Sequence, residues 1–233
     1  LEIPAGTWWA STLTISDNLR IVCPEPAGAI LKQIAGTNAN FVTIGYAVVQ
    51  NPIIENITID GNSANNTSGN GLHLTTNAET DPAVTYGFSV TLRNSYIQNC
   101  ADRCLYVGTN RNMGHVENTE LKRGDSLLYI TGSSDWRFVH ARFAFPIDGI
   151  GVEIESGADN VFLGCAMYGA LAYPCVKLAG TANSPTKLIG CTINANQRDG
   201  LYIIGPSGIA RGISHIIQGC WFAENSLETD DTY

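Results

Sequence analysis

Charge is scarce in this chain. Of its 233 residues, 13 are Lys or Arg and 21 are Asp or Glu, for a net charge of −8. That balance argues against a nucleic-acid partner or an anionic membrane surface, whose phosphates would be repelled. Long apolar runs are also missing. The longest, near Phe41 to Val49, is too short to cross a bilayer, and no secretory leader pattern stands at the N-terminus. Metal-ligand spacing is absent from the four scattered histidines, no loop has a calcium signature, and no Ser-His-Asp set is evident. The expectation is a protein with no cofactor and no metal. The seven cysteines are odd in number, and three recur at one position of a repeat, which favours free thiols and folding in a reducing compartment. Helical periodicity is the last absence, and it leaves strands as the building unit.

What is present is repetition. An apolar residue, any residue, Gly or Asn, a small residue, any residue and an apolar residue recur as Leu92-Arg93-Asn94-Ser95-Tyr96-Ile97 and Val116-Glu117-Asn118-Thr119-Glu120-Leu121. Phe162-Leu163-Gly164-Cys165-Ala166-Met167, Leu188-Ile189-Gly190-Cys191-Thr192-Ile193 and Ile217-Gln218-Gly219-Cys220-Trp221-Phe222 continue the series. Phe138 to Phe143 is a degenerate copy centred on His140, and Ile59-Asp60-Gly61 reads as an earlier half copy. From Asn94 onward the anchors are spaced by 24, 22, 24, 26 and 29 residues. A period in the twenties marks one supersecondary unit stacked on itself.

Each repeat carries a second, alternating stretch: Leu72-His73-Leu74, Leu105-Tyr106-Val107, Leu128-Tyr129-Ile130, Ile150-Gly151-Val152, Val176-Lys177-Leu178 and Leu201-Tyr202-Ile203. Period-2 alternation, Gly- and Asn-rich turns and no helix describe an all-β, right-handed, single-stranded parallel β-helix of about seven or more coils. A leucine-rich repeat would need a different leucine frame and a helix or 3₁₀ turn per repeat. Residues 1–50 read as opening coils and 51–225 as regular coils with loop insertions at 61–70 and 77–87. Residues 226–233 read as the start of a truncated segment, so that the whole is one domain from a longer chain. The column Ser95, Thr119, Ala141, Cys165, Cys191 and Cys220 reads as a ladder of small residues facing inward.

Stacking at roughly 4.8 Å per coil turns sequence repeats into columns. The outward residues of the second strand, His73, Tyr106, Tyr129, Gly151, Lys177 and Tyr202, form one stripe, with Arg103 and Arg198 beside it. Aromatic rings among charged groups suit a sugar, which offers apolar CH faces and hydroxyl rims. Acids precede these strands at Asp102, Asp125, Asp148 and Asp199, and Glu153 and Glu155 follow Gly151. Glycoside hydrolysis needs two carboxyl groups flanking one bond, about 5 Å apart for retention and about 6.5–9.5 Å for inversion. Asp125, Asp148 and Glu153 are the leading catalytic candidates, with Asp102 behind them. Glu153 is the expected proton donor if Tyr129 desolvates it. The rival chemistry is a lyase, with Lys177 as base near a uronate. A second face carries apolar residues at outward positions, Val139, Val161, Leu163, Ile189 and Ile216, where a solvated strand should be polar; such a stripe marks an interface.

The opening phrase Ile3-Pro4-Ala5-Gly6-Thr7 with Trp8 and Trp9, then Leu13-Thr14-Ile15, resembles the first coils of pectate-lyase-like β-helices. Gly219-Cys220-Trp221-Phe222-Ala223-Glu224-Asn225, Asp148-Gly149-Ile150 and Asp199-Gly200-Leu201 are similar in kind. Within that superfamily the chain is most similar to bacteriophage tailspikes and capsule depolymerases. The resemblance implies a phage tail protein, folded in the host cytoplasm and acting outside the cell, that binds a bacterial surface polysaccharide and cleaves it. It also implies a homotrimer, with the apolar stripe at the three-fold axis, attached to other virion tail proteins. The alternatives are a non-catalytic receptor-binding or structural tail-fibre β-helix, a polysaccharide lyase, and a cellular pectate-lyase-like enzyme.

Overall fold

A computed structural model describes residues 1–15, 19–26, 28–45, 52–75, 90–179, 185–204 and 215–225. The 77–87 insertion and the 226–233 segment fall outside the described residues. The strands enter three parallel sheets in strict rotation. The first sheet has nine strands, from Gly6–Ala10 to Trp221–Asn225. The second has eight, from Leu13–Ile15 to Leu201–Ile204, and the third has eight, from Arg20–Val22 to Ile216–Gln218. Each coil gives one strand to each sheet and pairs in parallel with the coils above and below it, which is a parallel β-helix.

The six-residue phrase proves to be a corner between two short strands. In Leu92 to Ile97, Thr91–Arg93 belongs to the third sheet and Tyr96–Gln98 to the first. The anchor between them turns left-handed in seven successive coils: Asn56 (φ 59°), Asn94 (48°), Asn118 (47°), His140 (52°), Gly164 (60°), Gly190 (60°) and Gly219 (61°). Left-handed backbone costs most L residues about 1–2 kcal/mol and costs Gly and Asn least, so these two types recur. The alignment corrects the earliest copy. Ile54 pairs with Leu92 and Thr58 with Tyr96, so the anchor is Asn56, and Ile59-Asp60-Gly61 lies one corner further on.

The residue after each anchor forms the small ladder, buried from Ser95 through Cys191. Its side chains close the corner. Ser95 Oγ donates to Arg93 O at 2.7 Å and Thr119 Oγ1 to Glu117 O at 2.9 Å. The thiols of Cys165, Cys191 and Cys220 point to the same carbonyls two residues back at 3.7, 3.6 and 3.6 Å. All seven cysteines are unbridged.

Inside, each sheet contributes apolar columns. Phe138 and Phe162 stack in the third-sheet column with centroids 4.5 Å apart and planes 6° from parallel. Burial of such a side chain contributes about 1.5–3 kcal/mol. The 61–70 run does not stand clear of the coil. It lies on the turn below it, where Asn66 Oδ1 accepts from Thr37 N at 2.8 Å and Asn62 Nδ2 donates to Gln33 O at 2.9 Å.

Candidate functional site

The second sheet builds an outward column from register alone. Thr43, His73, Tyr106, Tyr129, Glu153, Lys177 and Tyr202 are successive Cα partners. Gly151 does not belong to it. The strand of that coil is Val152–Ile154, so Glu153 takes the position beside Tyr129 that Gly151 was expected to hold. Gly151 instead lies where an added Cβ would meet Cys175 O at 2.5 Å.

The column is tightly engaged. His73 stacks on Tyr106 with centroids 4.6 Å apart, and Tyr106 on Tyr129 at 5.6 Å. His73 Nδ1 lies 3.0 Å from Asn70 Nδ2. Burial, then the charges of Arg111 and Arg103, push the His73 imidazole below its usual pKa. The Arg103 guanidinium covers Tyr129, with its carbon 4.4 Å from the ring centroid. Tyr129 donates its hydroxyl to Glu155. Burial and that bond push the phenol up, while the hydrogen bonds from Tyr129 and Thr131 hold the Glu155 carboxyl down. Lys177 Nζ and Glu153 Oε1 form an ion pair at 2.7 Å. Tyr202 is exposed.

The corner leading into the second sheet carries a different column. Arg103 and Ser126 are partners, so Asp102 and Asp125 stand one above the other. Gly149 N donates to Asp125 O, which brings Asp148 onto the next coil of the same corner. Asp102 Oδ2 accepts from Gly69 N at 2.8 Å. Asp125 and Asp148 share an open groove of about 200 Å³ with Ser126, Gly149, Ile150 and Tyr173. Burial first, then the charges of Asp148 and Asp102, raise the Asp125 carboxyl above its usual range, and Arg103 opposes them. Asp199 and Arg198 lie two coils further on, both exposed, and Cys175 N donates to Asp199 O. Among the described residues, no group of three or more His, Cys, Asp or Glu is placed to hold a metal ion.

Most of the ion pairs among the described residues join adjacent coils: Arg20 with Glu55, Arg93 with Glu117, Arg142 with Glu120, Lys177 with Glu153 and Lys187 with Asp159. The like-charged neighbours Asp135 and Asp159 are accompanied by Lys187, which pairs with Asp159. The Asp102–Asp125–Asp148 column stacks three of one sign.

Sequence patterns did not reveal the exposed apolar residues of this corner, of which Tyr173 lines the groove. Phe145, Ile147, Leu171 and Tyr173 are exposed by 51, 46, 49 and 51% on two consecutive coils of this corner. Each pair is spaced by two residues, but both lie past the ends of the strands Arg142–Ala144 and Ala166–Tyr168, outside the strand alternation that was read. Arg111 was missed too. It is 3% exposed, and it donates from Nε to Thr75 O at 2.7 Å and from Nη2 to Gly45 O at 2.6 Å, tying together the ends of neighbouring coils of the second sheet.

The third sheet holds the apolar face. Val139, Leu163 and Ile189 form one outward column, bordered below by Glu117 and above by Gln218. Val161 and Ile216 fall in the neighbouring column, interleaved with Arg137 and Lys187. The continuous apolar stripe is therefore three coils long.

Residues 83–231 match the family model described as the right-handed beta helix region. The chain belongs to the right-handed β-helix family. A relative within reach of sequence comparison is the "Depolymerase 1, capsule K30/K69-specific" of Klebsiella phage K5-2, 27% identical over 179 residues. That alignment takes in 76% of this chain and 22% of the phage protein, so the β-helix here spans about a fifth of its relative. Among solved structures, the A-module of mannuronan C-5 epimerase AlgE4 from Azotobacter vinelandii is 14% identical with a TM-score of 0.39, covering 96% of this chain and 86% of that one. ORF18 of Geobacillus virus E2 is 14% identical with a TM-score of 0.43, covering 96% of this chain and 52% of that one.

Proposed function

We propose that this β-helix is the glycan-cleaving part of a phage tail depolymerase that hydrolyses a bacterial surface polysaccharide. The phage relative supports the class of protein and substrate. The observation that carries the chemistry is the aspartate column. A carboxyl group raised by burial and neighbouring charge, set beside a second, exposed carboxyl group, suits an acid working beside a base or nucleophile. Asp125, raised by burial and by its neighbours, is the general acid that protonates the glycosidic oxygen. Asp148, exposed across the shared groove, is the partner carboxylate. A single coil step of roughly 4.8 Å is close to the separation of about 5 Å used by retaining enzymes, so Asp148 acts as nucleophile and Asp125 then activates water. Asp102, bonded to the Gly69 amide, supplies charge that helps to raise the Asp125 carboxyl.

Tyr106, Tyr129, His73 and Tyr202 offer the polymer a platform, with Tyr173 and Phe145 along its other bank. Lys177 serves the platform through its pair with Glu153, an arrangement that leaves it poorly placed as the base of a lyase. The stripe of Val139, Leu163 and Ile189, with Val161 and Ile216 beside it, is the surface for a homotrimer in a virion tail, where other tail proteins would attach.

The test is release of reducing ends from a panel of purified capsular and O-antigen polysaccharides, with absorbance of unsaturated uronates followed in parallel. Asp125→Asn and Asp148→Asn should each lower kcat by about 10²-fold or more, with no absorbance from the wild type. Unsaturated products would make the protein a lyase. Binding without release would make it a receptor-binding fibre.

A further inference from the structure

Arg103 stands between the aspartate column and the aromatic column. Its amide is held by Asn70 Oδ1 at 3.1 Å. Its guanidinium carbon lies 4.4 Å from the Tyr129 centroid and 5.7 Å from that of Tyr106, so it sits over two rings. Asp125 feels its charge without forming an ion pair with it, and the other acids around it are occupied elsewhere. Asp102 accepts from Gly69 N, Glu153 pairs with Lys177, and Glu155 accepts from Tyr129. Among the described residues, no carboxylate lies within ion-pair distance of Arg103, and its buried Nε bonds nothing.

A planar cation, stacked on aromatic faces and partly stripped of water, is built to grip a carboxylate through two parallel hydrogen bonds. Neutral sugar hydroxyls would use it less well, since the strongest bonds of an arginine are to an anion. The aspartates nearby repel a diffuse negative charge, so an anion gains here only by contacting the guanidinium directly.

We propose that Arg103 is the docking point for a carboxylate borne by the sugar that lies over Tyr129, and that the polymer taken by this groove is therefore acidic. A uronic acid and a pyruvate ketal carry the same group. The inference rests on a glycan lying in this groove and names the feature that the groove reads.

The experiment needs no polymer. Protein labelled with ¹³C in its tyrosine rings is titrated with sodium glucuronate, with the 4,6-pyruvate ketal of methyl glucoside, and with glucose; Tyr106→Phe and Tyr129→Phe assign the two signals. Saturable shifts of both rings with either acid and none with glucose support the docking site, and the stronger acid identifies the source. Arg103→Gln should weaken that response by at least about tenfold, and Arg103→Lys, which keeps the charge without the fork, should weaken it by less. Equal responses to glucose and the acids, no response to either acid, or an unaltered response in Arg103→Gln overturns the proposal. Carboxylate docking without polymer cleavage would remove hydrolysis and leave Arg103 its role. Polymer cleavage without docking would do the reverse.

Discussion

The pair of Glu153 and Lys177 separates a platform from a proton donor. The two residues are Cα partners on adjacent coils, 2.7 Å apart at their charged ends, with 16% and 26% of the side chains exposed. Gross Coulomb attraction near a protein surface is about 4 kcal/mol at 4 Å. Desolvation and side-chain ordering offset most of it, and this exposure brings a short charged hydrogen bond to about 1–2 kcal/mol net. The perturbation is a cycle of Glu153→Gln, Lys177→Met and the double variant, read by urea unfolding. The coupling energy should be about 1–2 kcal/mol, and the double variant should lie close to the worse single one. The same proteins are then assayed for polysaccharide cleavage. A residue that only positions the platform should cost kcat less than about fivefold, whereas a lost general acid costs about 10²–10⁴-fold. A loss of about 10²-fold or more in Glu153→Gln, with coupling below about 0.3 kcal/mol, would refute the pairing argument and make Glu153 the proton donor.

Two further outcomes test the frame that holds the site. Gly114 faces the fully buried Trp136, where an added Cβ would sit 2.4 Å from the ring, and Trp136 Nε1 donates to Arg111 O at 2.5 Å. Gly114→Ala should therefore lower stability by about 1–3 kcal/mol, with a red shift of the tryptophan emission; an unchanged urea midpoint would contradict it. At the left-handed corner, Asn118→Ala should destabilise by about 1 kcal/mol while Asn118→Gly is near neutral, and equal midpoints for the two variants would show that the corner is not what constrains this position.

The corner between the third and first sheets was legible because its constraint selects residue types. Asn56, Asn94, Asn118, Gly164, Gly190 and Gly219 are what a left-handed residue prefers. The corner between the first and second sheets turns left-handed just as regularly, at Asn99 (φ 52°), Arg123 (52°), Phe145 (56°), Gly169 (80°), Ala195 (53°) and Glu224 (52°). Its residues share no type that advertises that backbone, so the turn itself was not read, although the aspartates were placed by their position before the second strand. Gly169 shows how one coil accommodates the next, since a Cβ there would meet the Phe145 ring at 2.5 Å. The tyrosine column was legible by alternation, but its register was not. A shift of two residues keeps every side chain on its face, so Ile150-Gly151-Val152 and Val152-Glu153-Ile154 looked equivalent until Val152 was found paired with Leu128. Which acids are free and which are engaged, as with Asp102 on Gly69 and Glu153 on Lys177, depends on contacts between residues 24 to 33 positions apart, which no local pattern encodes.

In-register stacking makes the aspartate column a liability, since three like charges face one another on successive coils. Like charges directly opposed on neighbouring strands destabilise by about 0.2–1 kcal/mol, and partial exposure keeps the figure in that range. If the column exists for function, neutralising one member should improve the fold while harming the reaction. Asp148→Asn should then unfold at a higher urea concentration at pH 7, by up to about 1 kcal/mol, while cleavage collapses. The sign of the pH dependence follows from Asp125. Its folded carboxyl is raised above the ordinary value of 3.8, so the folded chain holds its proton more tightly than the unfolded chain does. The stability this provides is fully present below pH 3.8 and is lost as pH rises through the folded value. The advantage of Asp148→Asn should therefore vanish in acid, where the Asp125 carboxyl holds its proton, and grow as pH rises through its folded value. An Asp148→Asn protein that is less stable than the wild type at pH 7 would mean that the carboxylate supports the corner, and the argument from unbalanced charge to catalysis would lose its premise.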